Sequence, residues 1–260
     1  MTTALDFLIA GRFDEAIAVY TAELRSKPDD PGAVSGLARS LTGAGRYAEA
    51  IPLLMRDNDR SKSIIPDSPG RQLDLACAYW CLEDRTRAIQ LVWNLCSGIL
   101  NHSVNMAPDQ AGGATFGLIL HYLSVTAGES AATEYSLQFL RKLNLRYDKR
   151  PTLYRYPVQT VKQLLGEVDF EAVISAATKQ STLDNAFAAS KVDPVVKVYL
   201  AEALFHDGAL ARARGDEALC SIRMDQVFEL GFQAGGTRWC YARKELEERR
   251  GDKLDQPAAG

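Results

Sequence analysis

Ala4-Leu-Asp-Phe-Leu-Ile-Ala-Gly-Arg-Phe-Asp-Glu-Ala16 and, 34 residues further on, Ala38-Arg-Ser-Leu-Thr-Gly-Ala-Gly-Arg-Tyr-Ala-Glu-Ala50 carry one pattern twice. In this register Ala4 matches Ala38, Phe7 matches Leu41, Gly11 matches Gly45, Phe13 matches Tyr47 and Ala16 matches Ala50. A fixed period of this length identifies a stacked architecture in which each unit buries its apolar face only against its neighbours. Each copy reads as an amphipathic helix, a break at Gly-Arg-aromatic, and a second amphipathic helix: residues 2–10 with 13–26, and 32–44 with 47–57. Glycine at 11 and 45 supplies the left-handed residue on which a helix ends and the chain reverses. The alanines mark where two helix backbones cross closely, and Phe7, Tyr20, Leu41 and Leu54 fill the grooves beside the crossing. Pro28 and Pro31, flanking Asp29 and Asp30, separate the two units.

The small residue, eleven others, small residue spacing returns at Ala76 and Ala88 around Tyr79, and at Gly208 and Cys220 with Gly215 at the hinge. The step from Ala50 to Ala88 is 38, so the loop holding Pro66 and Pro69 contains a four-residue insertion. Residues 113–144 give another hairpin, broken at Gly128-Glu129. No alternating strand pattern of any length intervenes. The expected fold is all-α: one right-handed α-solenoid over 1–250, of about five helical hairpins at 2–26, 32–57, 71–100, 113–144 and 193–231, with a shorter pair over 157–180. A capping helix over 236–250 opens on Trp239 and Tyr241 and continues into the charges of Arg243 to Arg250, and 251–260 reads as a disordered tail.

Composition bounds the function. The chain has 260 residues, 47% hydrophobic and 24% charged, with a net charge of −3. These are globular averages, and no global field recruits nucleic acid or anionic lipid. Cys77, Cys81, Cys96, Cys220 and Cys240 are odd in number and set in apolar segments, which reads as free thiols in a reducing compartment. The N-terminus lacks the basic region of a secretory signal, so the expected location is cytoplasmic. Residues 88–128 carry only one charge, Asp109, but their polar residues and glycines do not make a membrane span.

No motif with a catalytic rationale occurs: no nucleophile elbow, no phosphate-cradling loop, no zinc-binding His-Glu-x-x-His. His102, His121 and His206 share no helical spacing, and the i, i+4 pair Cys77 and Cys81 lacks a second pair. The expectation is a chain without enzyme activity, cofactor or metal. In a solenoid the first helices line a concave surface whose outward residues contact partners. Those positions are Ser35, Arg39 and Thr42 in the second unit, Leu73, Asp74, Cys77 and Trp80 in the third, and Glu202, Phe205 and Arg212 in the last. His121 reads either as a groove contact or as a satisfied core histidine. Between 141 and 162, seven basic residues stand against Asp148, with Tyr147, Tyr154 and Tyr156 interleaved. Arg146, Lys149, Arg150 and Arg155 there could form a solvated linker, a docking site for an acidic protein, or a nucleic-acid contact.

With these residues in place, 2–57 and 72–98 resemble the tetratricopeptide repeat. Residues 7–249 further resemble a bacterial family of such repeat proteins, often encoded beside polymorphic toxins as immunity proteins. Three segments carry that likeness: Gly112-Gly113 into Gly117-Leu-Ile-Leu-His-Tyr-Leu; Tyr156-Pro157 through Leu164-Leu-Gly-Glu; and Tyr199-Leu-Ala-Glu-Ala through Arg214-Gly-Asp, closing on Trp239-Cys-Tyr-Ala-Arg-Lys-Glu-Leu. The chain departs from that family in lacking a second aromatic near His206 to Gly208 and in its basic 141–156 segment. The resemblance implies a protein-binding module whose partner is a co-encoded toxin. A general adaptor or scaffold, and an RNA-associated repeat protein using the basic segment, are the alternatives. No nucleic-acid or membrane partner is expected on the first reading, and the oligomeric state is left open.

Overall fold

The structure, a computed structural model, describes residues 3–56, 69–104, 112–147, 157–188 and 194–251. Among them there is no strand. The helices are α1 (Ala4–Ile9), α2 (Phe13–Ser26), α3 (Pro31–Gly43), α4 (Tyr47–Arg56), α5 (Pro69–Cys81), α6 (Arg85–Leu100), α7 (Ala114–Ala127), α8 (Ser130–Tyr147), α9 (Val158–Leu164), α10 (Phe170–Ala188), α11 (Pro194–Ala213), α12 (Glu217–Glu229), α13 (Phe232–Gly235) and α14 (Thr237–Arg250). Consecutive helices pack as hairpins and each hairpin packs on the next, the arrangement of an α-solenoid. No described helix is long and apolar enough to cross a membrane.

The repeat shows most plainly in its turns. Arg12, Arg46, Asp84, Glu129, Glu167 and Asp216 each donate the backbone N–H to the carbonyl five residues back, at 2.8–2.9 Å. The residue before each has positive φ: Gly11, Gly45, Glu83, Gly128, Gly166 and Gly215. This is the Schellman closure, which satisfies carbonyls that the helix end leaves open. Five turns use glycine. Glu83, at φ 66°, carries a side chain into the left-handed region, which costs an L-residue about 1–2 kcal/mol. Its ion pair with Lys244, at 3.2 Å on a largely exposed side chain, offsets little of that. Glu83→Gly is expected to raise stability by about 1 kcal/mol, read as a higher urea midpoint at unchanged slope.

The close crossings follow the small residues. Ala16, Ala50, Ala76, Ala88 and Cys220 are fully buried. The Tyr20 ring lies on Gly36, and the Phe13 ring lies on Gly43, where an added Cβ would come within 2.3 Å of it.

The last helix differs most from the sequence expectation. It packs on α12, as a cap would, but it also runs back along the first helices of earlier hairpins. Cys240 sits against the Thr42 carbonyl and Arg243 donates to the Gly43 carbonyl at 3.3 Å, both in α3. The Cys77 and Cys81 thiols of α5 approach the Thr237 and Cys240 carbonyls. Tyr122 of α7 and Arg212 of α11 both donate to Glu245. Phe13 meets Phe232 edge-on at 5.1 Å, which joins the N-terminal hairpin to α13. The inner face of the solenoid is therefore filled by its own C-terminal helix.

A second buried layer is polar. His121, Thr160 and His206, from α7, α9 and α11, line one cavity of about 10 Å³. His121 Nε2, Thr160 Oγ1 and His206 Nε2 have no hydrogen-bond partner among the described residues. Burial pulls the His121 pKa down to about 4 and that of His206 well below the usual range, where Arg238 and His121 add repulsion. The unfolded chain takes up protons on both near pH 6.5, whereas the folded chain does not. Their contribution to stability is thus whole above about pH 6.5 and falls as the pH drops below it, for His121 until about pH 4. His121 is expected to contribute a loss of roughly 1 kcal/mol per pH unit between about pH 6.5 and 4, and His206 a loss of the same sign. Denaturant titrations at several pH values, repeated on His121→Gln, measure the slope; it should flatten in the variant.

Candidate functional site

An open cleft lies at the place where the expected contact residues of the second and third hairpins meet the C-terminal elements. It measures about 430 Å³ and is lined by Ser35 and Arg39 of α3, Gly70, Arg71, Leu73 and Asp74 of α5, Val198 of α11, Gln233 of α13, and Gly236, Thr237 and Arg238. Pro31 at the first position of α3, with the Asp30 carboxylate accepting from Ala33 N–H, fixes the start of the helix that carries Ser35 and Arg39. Arg71 and Asp74 stand three apart on α5, hence on one face.

The electrostatics of the cleft are set by three guanidinium groups and one carboxyl. Arg39 is exposed. Arg238 is ion-paired with Glu202, which also accepts from the Thr115 hydroxyl at 3.3 Å. Arg238 Nε is buried and unpartnered. Burial pushes the Asp74 carboxyl up to about 6, against the opposing pull of Arg39 and Arg71. Asp74 is therefore poised between its acid and its anion in mildly acidic solution, at about pH 6.

Of the residues singled out in the sequence, Ser35, Arg39 and Asp74 share this cleft, together with Leu73. Thr42, Cys77, Trp80, His121, Glu202, Phe205 and Arg212 are not among its lining residues, and their placement corrects the expectation. Thr42 is buried and donates to the Ala38 carbonyl of its own helix. Trp80 and Phe205 are core: both contact Tyr122 and Tyr241, with Phe205 near-parallel to Tyr241 at 5.9 Å. Cys77 is fully buried. His121 lies inside, its Nδ1 3.2 Å from the Ser136 hydroxyl but its Nε2 without a partner among the described residues, so it is a core histidine only half satisfied. Glu202 and Arg212 are committed to Arg238 and Glu245. The physical reason is common to most of them. The helix α14 covers the positions that a bare concave surface would expose. Arg146 lies in the last turn of α8, whereas Lys149, Arg150 and Arg155 lie outside the described residues.

Two lining arginines escaped the sequence reading. Arg71 could have been found from its three-residue spacing to Asp74. Arg238 depends on the return of α14, for which the local signal is the unbroken apolar run Trp239-Cys-Tyr-Ala242, all fully buried. Four consecutive apolar residues sweep the whole circumference of a helix, which requires neighbours on every side and not the single apolar stripe of a cap.

All five cysteines are free and buried. Among the described residues no group of three or more His, Cys, Asp or Glu is arranged to hold a metal. No curated protein matches the chain. Residues 1–60, which span the first two hairpins, match the tetratricopeptide repeat family.

Proposed function

We propose that this chain acts by binding a protein partner, without catalysis, and that the cleft at Ser35, Arg39 and Asp74 is the surface it uses. The observation that carries the reading is the convergence of these three side chains, from two successive repeat hairpins, on an open cleft beside the start of α14. Tetratricopeptide repeats mediate protein–protein contacts, and the match over residues 1–60 includes α3, which supplies Ser35 and Arg39. The partner we propose is a toxin encoded beside it, which the chain would neutralise. This rests on the likeness carried by the Gly112-Gly113, Tyr156-Pro157 and Trp239-Cys-Tyr segments.

Co-expression tests this directly. The product of the neighbouring gene is expected to arrest growth alone and to be tolerated with the wild-type chain, and tolerance is expected to be lost with Arg39→Glu. A neighbour without toxicity would remove the immunity reading, and full protection by Arg39→Glu would remove the cleft from it.

A further inference from the structure

The composition of the cleft specifies the chemistry of its ligand, given that the cleft is the partner surface as proposed above. Its charged lining is Arg39 from α3, Arg71 and Asp74 from α5, and Arg238 from α14. Guanidinium groups form bidentate hydrogen bonds with planar oxyanions, and three of them converge here from three separate helices. Glu202 holds Arg238 in place from α11, so one guanidinium is fixed before any ligand arrives. The volume falls within the range of small-ligand and short-peptide sites. The cleft is open, as an extended segment of a partner requires.

We propose that this cleft receives an acidic segment of the partner protein, its Asp or Glu carboxylates lying against the exposed Arg39 within the positive field of Arg71 and the fixed Arg238. Asp74 then acts as a proton-dependent discriminator. As an anion it repels an incoming carboxylate; as an acid it donates a hydrogen bond to it. The groups facing it are Arg39 from α3, Arg71 on its own helix and Arg238 from α14. On α11, Glu202 is taken up by Arg238, and α13 contributes the neutral Gln233. Tyr241, fully buried, stays a neutral phenol, since burial raises its pKa well above the usual range. Binding thus takes up a proton at Asp74, and affinity rises as the pH falls through about 6.

The experiment uses the full chain and a fluorescently labelled, C-terminally amidated hexaglutamate, with amidated hexaglutamine and free-acid hexaglutamine as controls, followed by anisotropy. Hexaglutamate is expected to bind at low salt and weaken with added salt, with neither hexaglutamine binding. Arg39→Glu, at an exposed position, should weaken it about tenfold or more while leaving thermal unfolding unchanged. Asp74→Asn should bind at least as tightly as wild type and lose the pH dependence. Absence of hexaglutamate binding, equal binding of amidated hexaglutamine, or indifference to Arg39→Glu would each overturn the proposal. Equal binding of free-acid hexaglutamine would overturn it in favour of a single terminal carboxylate. The two readings fail separately. Protection in co-expression that depends on Arg39, without hexaglutamate binding, refutes only the acidic-segment assignment. Hexaglutamate binding with a harmless neighbouring gene product refutes only the immunity reading.

Discussion

Trp239→Ala should destabilise the whole chain by about 3–5 kcal/mol, the range for emptying a fully buried aromatic site. Trp239 has no exposed surface. Its indole lies near-parallel to Phe228 at 5.4 Å, meets Phe232 edge-on at 5.7 Å, and tilts against Phe13 at 6.5 Å. Its Nε1–H donates to the Phe228 carbonyl at 3.0 Å. One side chain therefore links α2, α12 and α13 to α14, and its loss is felt at both ends of the solenoid. If α14 were only a terminal cap, truncation would fray the last hairpin and leave the first intact. Here the N-terminal hairpin loses a packing partner too. Chemical denaturation followed by far-ultraviolet circular dichroism should show one cooperative transition moved to lower denaturant, with no early phase confined to the C-terminal helices.

Glu245→Ala is expected to cost a similar amount by a different mechanism. The Glu245 carboxylate is almost wholly buried and accepts from Arg212 Nη1 at 2.7 Å, Arg212 Nη2 at 2.9 Å and the Tyr122 hydroxyl at 2.6 Å. Removing it strands a mostly buried guanidinium, which among the described residues keeps the exposed Glu217 at 3.4 Å and the Thr126 hydroxyl. Breaking a buried ion pair from one side costs about 3–5 kcal/mol, chiefly because the remaining charge lacks compensation. Glu245→Leu combined with Arg212→Met should therefore be much milder than Glu245→Ala. A double-mutant cycle on unfolding free energy measures that difference, and additivity would contradict the assignment.

How much of this was legible from sequence depends on whether the signal is local. Gly11 and Gly45 end their helices through their own backbone conformation, so the first two hairpins could be read from 34-residue spacing. The third turn could not be read that way, because Glu83 takes the left-handed position with the wrong residue type for it. The outward positions of α3 and α5 gave Ser35, Arg39 and Asp74, since a helix face is fixed by its own periodicity. Trp80, Phe205 and Thr42 lie on the same inner face and were misplaced on an open groove. Their burial is decided by α14, some 160 residues from Trp80 along the chain, and no local pattern at Trp80 records its arrival. The charges from Arg243 to Arg250 carry no local sign of burial either, yet Arg243 reaches the α3 carbonyl at Gly43 and Glu245 lies in the core.

The central claim is that a partner engages the arginine-lined cleft while α14 stays in place. Hydrogen exchange of the full chain, with and without the amidated hexaglutamate, tests it most directly. The predicted result is slower exchange confined to segments around residues 35–39, 71–74 and 236–238, with the core of α14 equally protected in both states. Faster exchange along α14 on binding, with deprotection around Trp80 and Phe205, would mean that the ligand displaces the helix and occupies the inner face, and would contradict the account.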